Sequence, residues 1–103
     1  MPDTSLTDSL GRKITLHDRT WHGHIVRGHP EVEGLRGLCE SAIARPTEIR
    51  RSRSDEDCRL YYGPGPRSGV MIMVVADVVQ GLVKTAHLCN KVSGGEAEWS
   101  RST

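Results

Sequence analysis

Val70-Met71-Ile72-Met73-Val74-Val75 is the stretch that decides the fold of this 103-residue chain. It is apolar at every position, whereas a strand with one face in water alternates polar and apolar residues. A short run of this kind is typical of a strand that is covered on both faces. The stretch therefore predicts the central strand of a sheet.

The segments on either side predict the neighbours of this strand. Residues 58–62 form one candidate strand, and Gly63-Pro64-Gly65-Pro66 after it is a strong breaker that predicts a hairpin loop. On the other side, Gln80-Gly81 predicts a tight turn into a last strand at 82–88. A further short strand is expected at 48–51.

Two helices are predicted before these strands. Asp18 or Thr20 can cap a short helix that Gly28 ends. Pro30 suits the first turn of a second helix, because its missing N–H would have no partner there. Apolar residues then recur at helical spacing until Pro46, which predicts an amphipathic helix of roughly three to four turns.

Helices followed by strands predict an α+β fold with an antiparallel sheet. Alternation of polar and apolar residues at 13–16 adds one short early strand. The domain is expected to span 11–92. Residues 1–10 and 93–103 are polar and are expected to be tails, the first of them flexible.

Composition excludes several classes of protein. The formal net charge of +1 argues against a histone-like protein that binds nucleic acid by bulk charge. The cysteines (Cys39, Cys58 and Cys89) are odd in number and form no Cys-x-x-Cys motif, so no disulfide scaffold is expected. The polar N-terminus resembles no signal peptide, and no apolar run can span a bilayer. We therefore expect a cytoplasmic protein without a membrane partner.

The densest functional signal is His22-Gly23-His24-Ile25-Val26-Arg27-Gly28-His29-Pro30-Glu31, which holds three of the five histidines. Imidazole, with an unperturbed pKa of about 6.5, suits proton transfer near neutrality. If Pro30 ends the helix, His29 lies at a junction and can point into a cleft. The alternative is a set of surface histidines, or one core histidine with a backbone partner.

A metal site is a second interpretation of the same histidines. His22 and His24, with His29 or His87, could supply the three imidazoles of a zinc hydrolase. On a helix, however, side chains two residues apart diverge by ~200°. No carboxylate or cysteine stands at a familiar zinc spacing, so neither a metal nor another cofactor is expected.

Basic residues concentrate between Arg45 and Arg53, and include Arg50 and Arg51. The planar guanidinium donates two parallel hydrogen bonds to phosphate oxygens, which suits a phosphodiester substrate. Because adjacent strand residues point to opposite faces, at most one of Arg50 and Arg51 serves a given site. The alternative is a solvated edge strand protected by charge.

The last strand carries Lys84-Thr85-Ala86-His87. Alternation predicts Val83, Thr85 and His87 on one face, where a hydroxyl and an imidazole suit phosphate binding and proton transfer; Leu82, Lys84 and Ala86 would lie on the other. A solvent-facing row is the alternative. Of the two adjacent tyrosines, 61 and 62, one must face away from the core, and we consider Tyr62 as a stacking surface for a base.

Five features of the sequence follow one another along the chain: the motif His24-Ile25-x-x-x-His29-Pro30-Glu31, the helix that ends at Pro46, the apolar strand, Lys84-Thr85-Ala86, and a late Gly95-Glu96 with Trp99. Together they resemble the phage barnase–EndoU–colicin–RelE-like nuclease family. The resemblance covers about residues 14–99. It implies a barnase/RelE-like α+β fold, in which N-terminal helices pack on an antiparallel sheet of about four strands and RNA binds on the open face of the sheet. The position before the second histidine, often basic in that family, is Gly28 here.

The resemblance implies a phage- or toxin-type ribonuclease that needs no metal, with His24, His29, Glu31 and Thr85 as catalytic residues. His29 would act as base or acid with His24 as partner, and Glu31 would orient an imidazole. Arg27 and Arg51 would stabilise the phosphorane. The remaining candidate substrate-binding residues are Arg50, Tyr62, Lys84 and His87.

The expected partners are an RNA substrate and, from the toxin context, a neutralising antitoxin or immunity protein; the oligomeric state is open. A non-catalytic RNA- or protein-binding module of the same fold is the main alternative, followed by the zinc hydrolase. A binding module would retain salt-sensitive RNA affinity without turnover.

Overall fold

The computed structural model describes residues 2–101, which form one seven-stranded sheet. Its strands are β1 (Thr4–Thr7), β2 (Lys13–Leu16), β3 (Glu48–Arg51), β4 (Cys58–Pro64), β5 (Met71–Asp77), β6 (Leu82–Cys89) and β7 (Ala97–Ser100). The strand order is β1-β2-β6-β5-β4-β3-β7. All neighbours are antiparallel except β2 and β6, which are parallel and meet only at Thr15 and Leu82.

The sheet curls into a half-barrel, so that its two ends approach one another. The turn between β1 and β2, at one end of the strand order, reaches β7 at the other end. Arg12 in that turn lies 2.7 Å from Glu98 in β7, measured from Nη2 to Oε1. Side chains thus join two edges that share no backbone ladder.

Helical segments are short. They are α1 (Asp18–Thr20), a π-helical turn (Trp21–Ile25), α2 (Val26–Gly28), a 3-10 turn (Pro30–Val32) and α3 (Arg36–Ala44). The first three are continuous, and we call residues 18–28 the first helical segment. β6 meets β2 only near its start, and the first helical segment and the 3-10 turn contact β6.

The core lies between one face of the sheet and the helices. Its fully buried members include Ile14, Leu16, Ile25, Ile43, Tyr61, Ile72 and Val74. Helix α3 packs closely on β4, where a Cβ added to Gly63 would meet Ala42 at 3.1 Å. Only a residue without a side chain allows this approach without a shift of the helix.

The predicted fold is wrong in its architecture. The chain does not place N-terminal helices on a four-stranded antiparallel, barnase/RelE-like sheet; it is mostly a curled, mixed sheet with little helix. Two strands lie in segments that were expected to be tails: Thr4–Thr7 pairs with β2, and Ala97–Ser100 pairs with β3. Both owe their order to pairing with other segments rather than to a local pattern.

The predicted helix from Pro30 to Pro46 is broken in two. Gly34 has a φ of 81°, outside the helical region, and separates the 3-10 turn from α3. Glycine adopts this conformation without steric cost, so the chain turns here. The consequence is a helix of nine residues instead of three to four continuous turns from Pro30.

Candidate functional site

The first helical segment sends its histidines to the outside. Its π turn, Trp21–Ile25, buries Trp21 and Ile25 in the core and leaves His22 and His24 exposed. Such single π turns inside helices are frequent at functional sites. His22 lies 3.3 Å from Asp18, whereas His24 lines a cleft described below, so the two imidazoles serve different surroundings.

His29 is held at the end of this segment. Its N–H donates to the carbonyl of Ile25 at 2.8 Å, and its backbone then leaves the helix at φ −137° and ψ 75°. Pro30 enforces this exit, because the residue before proline is disfavoured in the helical region. The expected junction at Pro30 is therefore present in the structure.

Two imidazoles meet at this junction. The ring centroids of His29 and His87 are 5.3 Å apart and the rings are tilted by 36°. Nδ1 of His29 lies 3.5 Å from a carboxylate oxygen of Glu31. We call His29 and His87 the histidine pair. The structure thus brings His87, from β6, to His29, and places His24 in the neighbouring cleft.

The backbone fixes the tautomer of His87. Its Nδ1 lies 3.0 Å from the carbonyl oxygen of Leu88. A carbonyl oxygen only accepts, so Nδ1 carries the hydrogen. In the neutral ring Nε2 then holds the lone pair, and it is the nitrogen that can accept a proton.

A cleft of about 530 Å³ opens beside the histidine pair. One wall is the first helical segment, with Thr20 and His24. The other is the β3–β4 loop, with Ser52, Ser54 and Asp55, and the floor is made by β5 and β6. The cleft therefore combines hydroxyls, an imidazole and a carboxylate over a partly apolar floor.

A β-bulge decides which residues of β6 line this cleft. Val75 pairs with Thr85, but Ala76 pairs with Val83, so Lys84 is an extra residue in β6. The predicted alternation is therefore wrong: Val83 is buried on the sheet face opposite to that of Thr85, and Lys84 and Thr85 both border the cleft together with Leu82 and Val83. Bulges of this kind re-aim side chains near functional sites.

The other predicted binding residues are dispersed. Arg27 is exposed and makes no hydrogen bond or ion pair to another described residue. Arg50 is engaged by Glu48 at 2.6 Å and by the carbonyl of Gly95. Tyr62 shares the sheet face of His87 through Met73, yet it is buried and its hydroxyl donates to the Ser93 carbonyl. It is thus no exposed stacking surface.

Arg51 lies on the opposite sheet face, beside a polar cluster that the sequence did not suggest. We call Asp8, Arg12, Arg59, Tyr61 and Glu98 the closing network. Arg12 bonds both carboxylates, Arg59 donates to Glu98 at 2.8 Å, and Tyr61 donates to Asp8 at 2.5 Å. Nothing in the local sequence signals this cluster, because its members come from distant strands.

The closing network sets the protonation of its members. Burial by itself would raise the pKa of Asp8, but hydrogen bonds from Tyr61 and Arg12 outweigh it and lower that pKa. Burial by itself would also raise the pKa of Glu98, but hydrogen bonds from Arg12 and Arg59 outweigh it and lower that pKa. The carboxylates are therefore held charged, as structural ion pairs.

Four further findings concern metal binding, membrane-spanning helices, the cysteines and the comparisons with known proteins. Within residues 2–101, no three His, Cys, Asp or Glu side chains are arranged to share a metal ion, and no helix is long and apolar enough to cross a membrane. Cys39, Cys58 and Cys89 are free thiols, and burial raises the pKa of Cys58 beside the cleft. No family model, curated protein or solved structure matches the chain.

Proposed function

We propose that this protein is a ribonuclease that cleaves RNA by general acid–base catalysis at the histidine pair, without a metal. The observation that carries the proposal is the 5.3 Å approach of His29 and His87, with Glu31 beside one ring and a carbonyl beside the other. Cleavage by a ribose 2′-hydroxyl needs one group to take a proton and another to give one.

His87 is the base in this mechanism. Because its Nδ1 hydrogen is bonded to the Leu88 carbonyl, Nε2 is free to take the proton of the 2′-hydroxyl. The 2′-oxygen then attacks the adjacent phosphorus. The backbone contact keeps the ring in the required tautomer, as an orienting partner does in other acid–base sites.

His29 is the acid. The carboxylate of Glu31, 3.5 Å from Nδ1, orients the imidazole ring, which leaves the Nε2 hydrogen for the departing 5′-oxygen. The products are a 2′,3′-cyclic phosphate and a free 5′-hydroxyl. His29 is then neutral and His87 protonated, and exchange with water restores both.

Negative charge that develops on the phosphate needs a donor nearby. Thr85 lies two residues before His87 on the same strand face and supplies a hydroxyl. Arg27, near the end of the first helical segment, is exposed and makes no bond to another described residue, so its long side chain is assigned the guanidinium. Arg51 is not assigned this role, because it lies beside Glu98 on the opposite face.

A resemblance in the sequence and the state of the cysteines support the same activity in the cytoplasm. The likeness of the His24–Glu31 motif to phage and toxin nucleases agrees with an RNA substrate, although this proposal rests on the histidine geometry and not on that family's fold. The three free thiols are typical of a reducing compartment, so we place the activity in the cytoplasm.

The test is cleavage of a labelled single-stranded RNA in excess EDTA by the unmodified protein, His29→Ala, His87→Ala and His22→Ala. His22 is a matched control, since it is exposed on the same helical segment and faces Asp18. We expect cleavage by the unmodified protein and by His22→Ala, and loss in the other two variants. A DNA of the same sequence, which lacks the 2′-hydroxyl, should stay intact.

Other outcomes separate the alternatives. Salt-sensitive RNA binding without cleavage would support the non-catalytic binding module instead. Cleavage that EDTA abolishes and zinc restores would support the hydrolase. Cleavage that survives in both His29→Ala and His87→Ala would show that the catalytic groups lie elsewhere.

A further inference from the structure

We infer that the cleft beside the histidine pair is a binding subsite for the nucleotide next to the scissile bond, so that the enzyme prefers oligonucleotides to isolated dinucleotides. This inference rests on the proposed function. Its central residue is Lys84, a specificity-determining side chain rather than a catalytic one.

The bulge in β6 is the first observation. With regular alternation, Lys84 would face away from Thr85, and no cation of this strand would stand beside the hydroxyl. The extra residue lets Lys84 and Thr85 border the same cleft. Lys84 is exposed and makes no ion pair with another described residue, so its ammonium is available to a ligand.

The chemistry of the cleft lining is the second observation. Lys84, Thr85 and His24 supply basic and hydrogen-bonding groups, which suit phosphate oxygens. Ser52 and the carboxylate of Asp55, from the β3–β4 loop, suit ribose hydroxyls. The lining thus carries groups for both the phosphate and the sugar of a nucleotide.

The distance to the histidine pair is the third observation. Thr85 and His87 are two residues apart on one strand face, which is about 6.6 Å. Thr85 and His87 hold the attacked phosphate between them, so a phosphate held at Lys84, which lies further from His87 along β6, is a different one. A chain that fills both positions must contain at least two consecutive phosphates.

The experiment compares kcat/KM for a dinucleoside monophosphate and a tetranucleotide that contains the same cleavable step. The unmodified protein should prefer the tetranucleotide, and Lys84→Ala should remove that preference by raising KM roughly 10-fold with kcat unchanged, the scale of one charge-assisted contact. Cleavage of the dinucleotide should not change. Lys13→Ala, an exposed lysine outside the cleft, is the matched control.

Salt dependence gives a second readout that a structural role of Lys84 would not move. Loss of one phosphate contact should reduce the slope of log KM against log salt for the tetranucleotide by about 0.7. Equal kcat/KM for both substrates, or equal slopes for Lys84→Ala and Lys13→Ala, would overturn the subsite and leave the nuclease intact.

If neither substrate is cleaved, the proposed function fails, and binding decides the subsite on its own. Fluorescence anisotropy with a labelled tetranucleotide then compares the unmodified protein with Lys84→Ala and Lys13→Ala. Weaker binding in Lys84→Ala alone would retain the cleft as a nucleotide-binding site. Equal binding by all three would overturn it.

Discussion

The closing network and the histidine pair are both clusters of charged or titratable side chains, yet they are built in opposite ways. In the closing network, the side chain of Asp8 is 0% exposed and that of Glu98 11% exposed, and each carboxylate accepts several hydrogen bonds. At the histidine pair, His29 is 37% and Glu31 43% exposed, and ring nitrogens remain without a bond to described residues.

This difference in burial and bonding indicates that the closing network stabilises the fold and that the histidine pair can act on a ligand. A buried group whose bonding capacity is satisfied within the protein has nothing left for a substrate, and removing one partner leaves an uncompensated charge. A half-exposed imidazole with one nitrogen oriented by its neighbour keeps the other for chemistry. We therefore expect mutations of the two clusters to have separate consequences.

The largest expected effect is on catalysis. His29→Ala or His87→Ala should lower the cleavage rate by roughly 10²–10⁴, the usual contribution of a general acid or base. Because both side chains lie at the surface of the site, the unfolding midpoint should stay within the range of the His22→Ala control. Loss of activity through unfolding would contradict the separation of catalytic from structural residues. Thermal unfolding followed by circular dichroism detects that outcome.

The next effect is on stability. Arg12→Met removes the side chain that joins Asp8 to Glu98 and should lower the free energy of unfolding by about 3 kcal/mol, because two carboxylates lose their shared partner in a largely buried setting. Urea denaturation measures it, with Arg19→Met, an exposed arginine, as control. At temperatures where Arg12→Met is folded, its cleavage rate should match that of the unmodified protein.

Acid should weaken the closing network. The pKa values of Asp8 and Glu98 are lowered from ordinary values of 3.8 and 4.5, so the unfolded chain binds more protons than the folded protein in this range. Stability is then fully present above about pH 4.5 and is lost as the pH falls through the folded-state values. Urea unfolding between pH 6 and pH 3 should show this loss, and Glu98→Gln should show a shallower one. Identical slopes would contradict the assignment.

The smallest expected effect is on the cleavage rate, and it comes from the contact between Glu31 and His29. Glu31→Gln should reduce the cleavage rate only about twofold to fivefold, because an exposed pair at this distance contributes up to about 1 kcal/mol. Glu33→Gln, an exposed neighbour, serves as control. A loss as large as that of His29→Ala would mean that Glu31 itself transfers the proton.

Much of the sheet follows from local patterns in the sequence. The strands Lys13–Leu16 and Glu48–Arg51 are confirmed with the predicted bounds. The central strand is also confirmed, and its ends at Met71 and Asp77 lie within two residues of the predicted ends. β1 and β7 could not be predicted in this way. Thr4-Ser5-Leu6-Thr7 carries a single apolar residue, and its order depends on β2 and on bonds to Asp8 from Tyr61, 53 residues away.

Only part of the candidate site could be predicted from the sequence, for the same reason. The contact of His29 with Glu31 follows from their separation by one proline, which is a local feature. The approach of His87 depends on the packing of the first helical segment along β6, and the exposure of Lys84 depends on a bulge. The hydroxyls of Thr20, Ser52 and Ser54 carry no signal in the sequence, because such residues are common in loops and caps.

The most direct test of the histidine pair replaces the leaving 5′-oxygen of the substrate by sulfur. A thiolate departs without protonation, so this substrate needs a base but no acid. We expect His29→Ala to cleave this substrate at nearly the rate of the unmodified protein, and His87→Ala to remain inactive. Rescue of His87→Ala, or of neither variant, would contradict the assignment of His29 as acid and His87 as base.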